Sequence, residues 1–339
     1  MFDKLSVEIF GESHSPNIGG TIKGLPVGYK IDVRELKRFL ARRSSLEFFT
    51  TPRHDSDEFE ISGLDCGLTS EEIKVIIQNE NVKSSDYDKI KVVPRPSHAD
   101  YPCFVKYGKI PSGGGRYSGR MTAPLTVLGG IAKQILKQKG IEVEAKVFSI
   151  GGIENTFSEE MENQNSLCED ILKRLKDAKE KGDSLGGIVE CKVTGLPIGL
   201  GDCLFEGLEG KIAANVFAIP AVKGVEFGRG FKLADMTGSE ANDAFKVAGG
   251  KVHITTNNMG GINGGMTNGN PVEFKAAFHP TPTIGISQDS VNLSTMQNEK
   301  LKAVGRHDVC FVTRVVVVVE AVAALAILDE ILKENVWKN

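Results

Sequence analysis

Two histidines, three adjacent glycines and several arginines are the groups in this chain best suited to moving protons and holding anions. His14 sits in the polar cluster Gly11-Glu12-Ser13-His14-Ser15, and His98 opens His98-Ala99-Asp100-Tyr101. An imidazole in such a setting takes and gives protons near neutral pH. Gly113, Gly114 and Gly115 follow, then Arg116, Tyr117, Ser118 and Arg120. Adjacent glycines accept positive φ and let backbone N–H groups approach a ligand. Arginines offer a planar fork to phosphate or carboxylate, and a helix starting near Ser118 would turn its positive end to the same place. On the glycines alone, a surface turn with solvated arginines reads equally well. The histidine before them and the arginines after them favour a site. Further on, Gly305-Arg306-His307-Asp308 sets a cation, an imidazole and a carboxylate side by side. His279-Pro280-Thr281-Pro282-Thr283 places hydroxyls on a stiff loop, which suits phosphate or a plain structural role, and Gly260-Gly261 with Gly264-Gly265 is a second tight glycine stretch.

Composition narrows the classes. The chain has 339 residues, 40% hydrophobic and 25% charged, with a formal net charge of −3. That is an ordinary globular balance, with length enough for one large domain or two smaller ones. A mildly acidic chain argues against nucleic acid or an anionic membrane as partner, so any anionic ligand needs a local cluster of cations. Six cysteines are scattered without a C-x-x-C pair, which fits reduced thiols in a cytoplasmic protein and neither a zinc site nor a disulfide scaffold. No metal site is expected. The N-terminus lacks the pattern of a secretory leader. The apolar run Val315–Val319 and Ala321–Leu328 is interrupted by Glu320 and too short to span a membrane, so it reads as core, fitting buried sheet or an interface.

The elements that must carry these groups follow from periodicity. Leu5–Phe10, Glu58–Ile61, Ile141–Ile150, Gly187–Thr194 and Val272–Phe278 alternate or run apolar as strands do. Asp32 reads as the N-cap of a helix over Val33–Arg43, and further helices are expected over Thr122–Lys139, Ser166–Lys181 and Glu209–Phe217. Thr69–Glu72 opens another element whose apolar part is Val75–Ile77. Strands and helices alternate in both halves, so an internal two-fold arrangement is possible. Neither a G-x-G-x-x-G dinucleotide fingerprint nor a Walker A motif occurs.

Taken in order, the motifs resemble the chorismate synthase family. The resemblance lies in Phe10–His14, Arg95–Tyr101 with Lys106-Tyr107-Gly108, and Gly113–Arg120. It continues in Asp183-Ser184 with Gly186-Gly187, Leu196–Gly201, Ile219–Glu226, Gly260–Gly265 and Gly305–Asp308, covering nearly the whole chain. It implies an α+β fold, a β-α-β sandwich with an internal pseudo-two-fold repeat, as one domain over residues 1–339. It also implies conversion of 5-enolpyruvylshikimate 3-phosphate to chorismate and phosphate by anti-1,4-elimination, with reduced FMN as cofactor and a homotetramer as the assembly. By position, His14 would protonate the leaving phosphate, His98 would protonate or stabilise the reduced flavin, and Asp308 would act with the flavin in taking the C6 proton. Arg42, Arg43 and Arg120 would line the substrate site. Arg116, Tyr117, Ser118, Pro220, Ala221, Gly264, His279, Pro280, Thr281, Pro282, Thr283 and Arg306 would hold FMN.

The chain departs from the family pattern at Ser15, where glycine is usual, at Ser112 and Phe48, where arginines are usual, at His279 in place of lysine, and at Met121 in place of glutamate. These changes thin the cationic lining and leave His14, His98 and Asp308 in place. Two other readings compete: a flavin reductase oxidising NAD(P)H on the same scaffold, and a flavin- or phosphometabolite-binding protein without activity. Some family members reduce their own flavin and carry extra segments. This compact chain is expected to use an external reductant.

Overall fold

The computed structural model describes residues 2–44, 57–79, 92–156, 166–302 and 308–334. The first half begins with β1 (Ser6–Gly11) and β2 (Asn17–Lys23), an antiparallel pair in which Ser6 faces Lys23 and Gly11 faces Ile18. Helix α1 (Val33–Ala41) follows. The Asp32 carboxylate caps it, accepting the Arg34 and Glu35 N–H groups at 2.8 and 3.2 Å, and the helix buries Leu36, Phe39 and Leu40. Next come β3 (Phe59–Asp65) and β4 (Leu68–Gln78), which resolves the Thr69–Ile77 element as a strand. The four strands form a sheet in the order β1-β2-β4-β3. The short helix α2 (Asp100–Tyr107) and the long α3 (Thr122–Lys137) complete this half.

The second half runs through β5 (Glu142–Ile150), β6 (Ile153–Glu154), α4 (Glu169–Lys181), β7 (Gly187–Thr194), α5 (Leu208–Val216) and β8 (Val222–Phe227). A small lobe follows, with α6 (Gly238–Ala241), β9 (Phe245–Ala248) and β10 (Lys251–Ile254), then β11 (Ile262–Asn263) and β12 (Met266–Thr267). Strand β13 (Val272–Phe278), the hairpin β14 (Gln288–Asn292) and β15 (Gln297–Leu301), and helix α7 (Val312–Glu334) end the fold. The main sheet here has the order β6-β5-β7-β13-β8. Without the two-residue β6, its strands fall in the same order as those of the first sheet: first, second, fourth, third.

One turn is also built twice. Gly24-Leu25-Pro26-Val27-Gly28 follows β2, and Gly195-Leu196-Pro197-Ile198-Gly199 follows β7. In the first, the Thr69 hydroxyl donates to Pro26 O at 2.6 Å and Gly28 N–H donates to Thr69 O at 2.9 Å. In the second, the Thr267 hydroxyl donates to Pro197 O at 2.6 Å and Gly199 N–H donates to Thr267 O at 2.8 Å.

Helix α3 packs on β2 and β4, α7 packs on β5 and β7, and the two helices pack on each other. Their backbones approach so closely that a Cβ on Gly129 would collide with Ala321. The valine run of α7 is therefore helix and not sheet. Branched side chains at successive positions favour strands locally, but every face of α7 from Val312 to Ile331 except the Arg314 position is buried. A helix apolar all round is stable where the surrounding core covers it. Its carboxylates are each satisfied. Glu320, fully buried, accepts two hydrogen bonds from Arg42, one from Lys133 and one from Ala145 N–H at 3.1 Å. Asp329 accepts the N–H groups of Asp3, Lys4 and Leu5 at 2.7 to 2.8 Å, tying the start of the chain to its last helix. Among the described residues no helix is long and apolar enough to cross a membrane.

Candidate functional site

The glycine turn is the point where two histidines meet. Gly113, Gly114 and Gly115 have φ of 58°, 83° and 53°, a region costly for residues with a Cβ. The turn also needs the missing side chains for space. A Cβ on Gly113 would overlap His14 Nε2, and one on Gly114 would lie 3.4 Å from His98 Cε1 and Nε2. Each imidazole thus faces a successive residue of one bare backbone turn.

His14 reaches the turn on the loop between β1 and β2. Ser13 anchors that loop, donating its N–H to Gly115 O at 3.3 Å and its hydroxyl to Gly113 O at 3.1 Å. Ser15, one of the departures, closes the loop on itself, its hydroxyl donating toward Glu12 O at 2.8 Å and Asn17 O at 2.6 Å. Asn79, just past β4, donates its amide to Ser15 O at 2.7 Å and so braces the loop from the neighbouring strand.

His98 is held from its other side. Ser97 takes φ of 59°, a left-handed turn, and His98 N–H donates to Arg95 O at 3.2 Å. The Asp100 carboxylate, fully buried, accepts from Arg95 Nε at 2.7 Å, Arg95 Nη2 at 2.8 Å and Arg95 N–H at 3.0 Å. His98 Nδ1 lies 2.6 Å from Asp100 Oδ1. Burial works against the charge on Asp100, but the hydrogen bonds from Arg95 and His98 outweigh it and hold the carboxyl well below the usual carboxylate range. Arg95 Nη1 also reaches the Thr283 hydroxyl at 3.4 Å.

The arginines divide into two groups. Arg43 and Arg120 share one carboxylate, Asp57: Arg43 Nη1 lies 3.0 Å from it, and Arg120 Nη1 pairs with its other oxygen. Arg120 Nε donates to Asn79 Oδ1 at 3.1 Å, which links this pair to the His14 loop. Helix α3 starts at Thr122, after a short 3-10 turn capped by Ser118, whose hydroxyl accepts Arg120 N–H at 3.3 Å. Arg42 instead turns to Glu320, lining a cavity of about 270 Å³ with Phe39, Lys133 and Gln134. Arg116 and Tyr117 are exposed beside the turn. A hydrogen bond with the Tyr107 phenol pushes the Tyr117 hydroxyl up to about 12.

The second half supplies loops. Pairing of β13 with β8 brings His279 N–H onto Ala221 O at 3.1 Å, and Ala221, after Pro220, takes φ of 75°. The His279 ring is turned to Pro280 O at 2.6 Å. Thr281 O accepts the Ser184 hydroxyl at 2.7 Å, and Leu185 N–H donates to Val309 O at 2.8 Å. That chain of contacts joins the Pro280–Thr283 loop, with Pro282 at its centre, to Asp308, whose carboxylate stands 4.0 Å from Arg314. Gly264 lies at the turn between β11 and β12, where a Cβ would meet nothing within 4 Å. That turn is tied to the start of α5, where Leu208 N–H donates to Gly265 O at 2.9 Å. Arg306 and Phe48 lie outside the described residues. Among the described residues no group of three or more His, Cys, Asp or Glu side chains is placed to hold a metal ion.

Residue-type reasoning passes over Arg95, Asp100, Asp57 and Asn79. The first two carry a legible signal, since Arg95, His98 and Asp100 crowd into one six-residue segment. Asp57 carries none, because only the fold brings it to Arg120.

The sequence pattern of the family described as chorismate synthase matches residues 5–332. A chorismate synthase of Thermococcus kodakarensis is 43% identical over 347 residues, spanning 99% of this chain and 98% of its own. One of Lancefieldella parvula is 42% identical over 356 residues, spanning 96% and 94%. A crystal structure of a chorismate synthase superposes with a TM-score of 0.73 at 25% identity, covering 98% of this chain and 93% of that one. With matches that run nearly end to end, the chain belongs to the chorismate synthase family of lyases.

Proposed function

We propose that the protein eliminates phosphate and the C6 hydrogen of 5-enolpyruvylshikimate 3-phosphate to give chorismate, with reduced FMN bound. The observation that carries this reading is the pair of imidazoles, His14 and His98, set against successive glycines of one turn. A 1,4-elimination that expels phosphate needs a proton donor at the leaving group and a base at the departing hydrogen. His14 donates a proton to the leaving phosphate, Asp308 takes part in receiving the C6 proton, and His98 would hold a proton for the reduced cofactor. Arg43 and Arg120 offer guanidinium groups to the substrate's phosphate and carboxylates, and Arg42 contributes charge from the Glu320 cluster. Anion recognition of this kind is stronger in a site that excludes water.

The residues fit the cofactor. Among the described residues the Thr281 hydroxyl is buried without a hydrogen-bond partner, in the loop assigned to FMN. A buried polar atom without a partner costs free energy that a ligand can relieve. Arg116, Tyr117 and Ser118 follow the bare glycine turn, and Pro220, Ala221, Gly264, His279, Pro280, Pro282, Thr283 and Arg306 complete the set. When bound, reduced FMN supplies a transient electron that eases cleavage of the C–O bond, with no net redox change.

The wider reading is a single domain over residues 1–339, a β-α-β sandwich with pseudo-two-fold repeat, acting as a cytoplasmic homotetramer with an external flavin reductant. The deciding assay is chorismate formation from 5-enolpyruvylshikimate 3-phosphate, followed anaerobically by absorbance with FMN and dithionite. Product only when FMN is reduced supports the reading. No product, with FMN bound, would overturn it. Aerobic NADPH oxidation with free FMN tests the reductant, and the expected result is none.

A further inference from the structure

Asp100 is committed to the histidine that packs against Gly114 of the glycine turn. Both of its oxygens accept from Arg95, whose side chain is nearly buried, and Oδ1 also meets His98 Nδ1 at 2.6 Å. An ionised carboxylate only accepts hydrogen bonds. At that distance a lone pair on Nδ1 would oppose the lone pairs of Asp100. Arg95 Nη2, 3.1 Å from the same Nδ1, is a donor and therefore competes for a lone pair there. The two contacts cannot both be hydrogen bonds to a neutral ring; each involves a charged partner, and the shorter, 2.6 Å against 3.1 Å, decides.

We propose that Asp100, held in place by Arg95, is a positioning residue that keeps His98 in its Nδ1–H tautomer, so that Nε2 is the atom that exchanges protons beside Gly114. Ser97, at a left-handed φ of 59°, lies in the tight bend closed by His98 N–H donating to Arg95 O at 3.2 Å, which keeps the three residues within one short segment. The Arg95 contact to Thr283 couples the ring's position to the 279–283 loop. This rests on the proposed role of His98, and it names what orients that ring.

The test is the imidazole nitrogen spectrum of the whole protein labelled with ¹⁵N-histidine, read in the absence of substrate and flavin. His98→Gln identifies the His98 signals. In the wild type the neutral His98 ring should show protonated Nδ1 and unprotonated Nε2. An Nε2–H tautomer in the wild type would overturn the proposal outright. Asp100→Asn should release the tautomer preference and lower kcat roughly 10²-fold, with KM for 5-enolpyruvylshikimate 3-phosphate nearly unchanged. Because that variant leaves the Arg95 charge buried and unpaired, the double variant Arg95→Gln with Asp100→Asn removes both charges and should show the same two changes. A variant that loses kcat but keeps the Nδ1–H tautomer, or changes tautomer at wild-type kcat, would also overturn the proposal. Failure of the wild type to form chorismate would remove the proposed reaction and leave the tautomer measurement to decide on its own.

Discussion

In the first half the connection between β1 and β2 is a short loop that delivers His14 to the glycine turn. In the second half the matching connection, from β5 to β7, runs through β6 and α4 and contains no histidine. The same contrast holds before each long helix. Ahead of α3 the chain places His98, the Gly113–Gly115 turn and Arg120; ahead of α7 it places the 279–283 loop, the β14–β15 hairpin and Asp308. Yet the sheets share a strand order, and the turns after β2 and β7 share their hydrogen bonds. Strand order and one turn are repeated, while both imidazoles set against the glycine turn come from first-half loops. Side chains on loops can change without disturbing the buried positions that stabilise a frame.

The largest effect expected from breaking this asymmetry is on turnover. His14→Ala and Asp308→Ala should each lower kcat by roughly 10²- to 10⁴-fold, measured as chorismate formation, while FMN binding by fluorescence persists. Turnover unchanged by Asp308→Ala would remove that residue from its role. Gly113→Ala sharpens the contrast, since its Cβ overlaps His14 Nε2. It should cost activity far more than Gly199→Ala in the repeated turn, where a Cβ meets nothing within 4 Å. Gly199→Ala should cost only about 1 kcal/mol, from its positive φ.

Next in size is helix α7, which packs on α3 and on β5 and β7. Glu320→Ala leaves Arg42 and Lys133 without their shared carboxylate, and about 3–5 kcal/mol of stability should be lost in urea titration. Thr69 and Thr267 test whether the frame really is used twice. Both are buried, at 1% and 3% exposure, and each both donates and accepts in its turn. Thr69→Val and Thr267→Val should therefore cost similar amounts, about 1–3 kcal/mol each; a clear inequality would break the equivalence.

The smallest effect is electrostatic and lies at the end of the second half. Hydrogen bonds from Lys333 and Lys211 lower the exposed Glu206 carboxyl to about 2. A carboxyl depressed in the folded state stabilises above its unfolded pKa, about 4.3, and that contribution disappears as pH falls toward 2. Glu206→Gln should lower the urea midpoint slightly at pH 7, with the difference from wild type fading over that interval. Screening by solvent keeps the effect small.

Much of the repeat is written in the residues, since Gly24-Leu25-Pro26-Val27-Gly28 and Gly195-Leu196-Pro197-Ile198-Gly199 nearly match. Strand alternation over Val272–Phe278, the Asp32 cap and the amphipathic spacing of α1 are equally legible, because each depends on neighbours within a few residues. The motifs around His14, His98, Gly113 and Asp308 likewise determine the family and the kinds of group available for chemistry. Tertiary structure decided the rest. Val315–Val319 became helix because neighbouring elements bury all of its faces, outweighing a local preference for strand. Arg42 was drawn to Glu320 and Arg43 to Asp57, because a buried carboxylate takes whichever cations the packing brings within reach. His14 and His98 share one turn for the same reason: residues far apart in sequence meet only where the sheet and helices carry their loops.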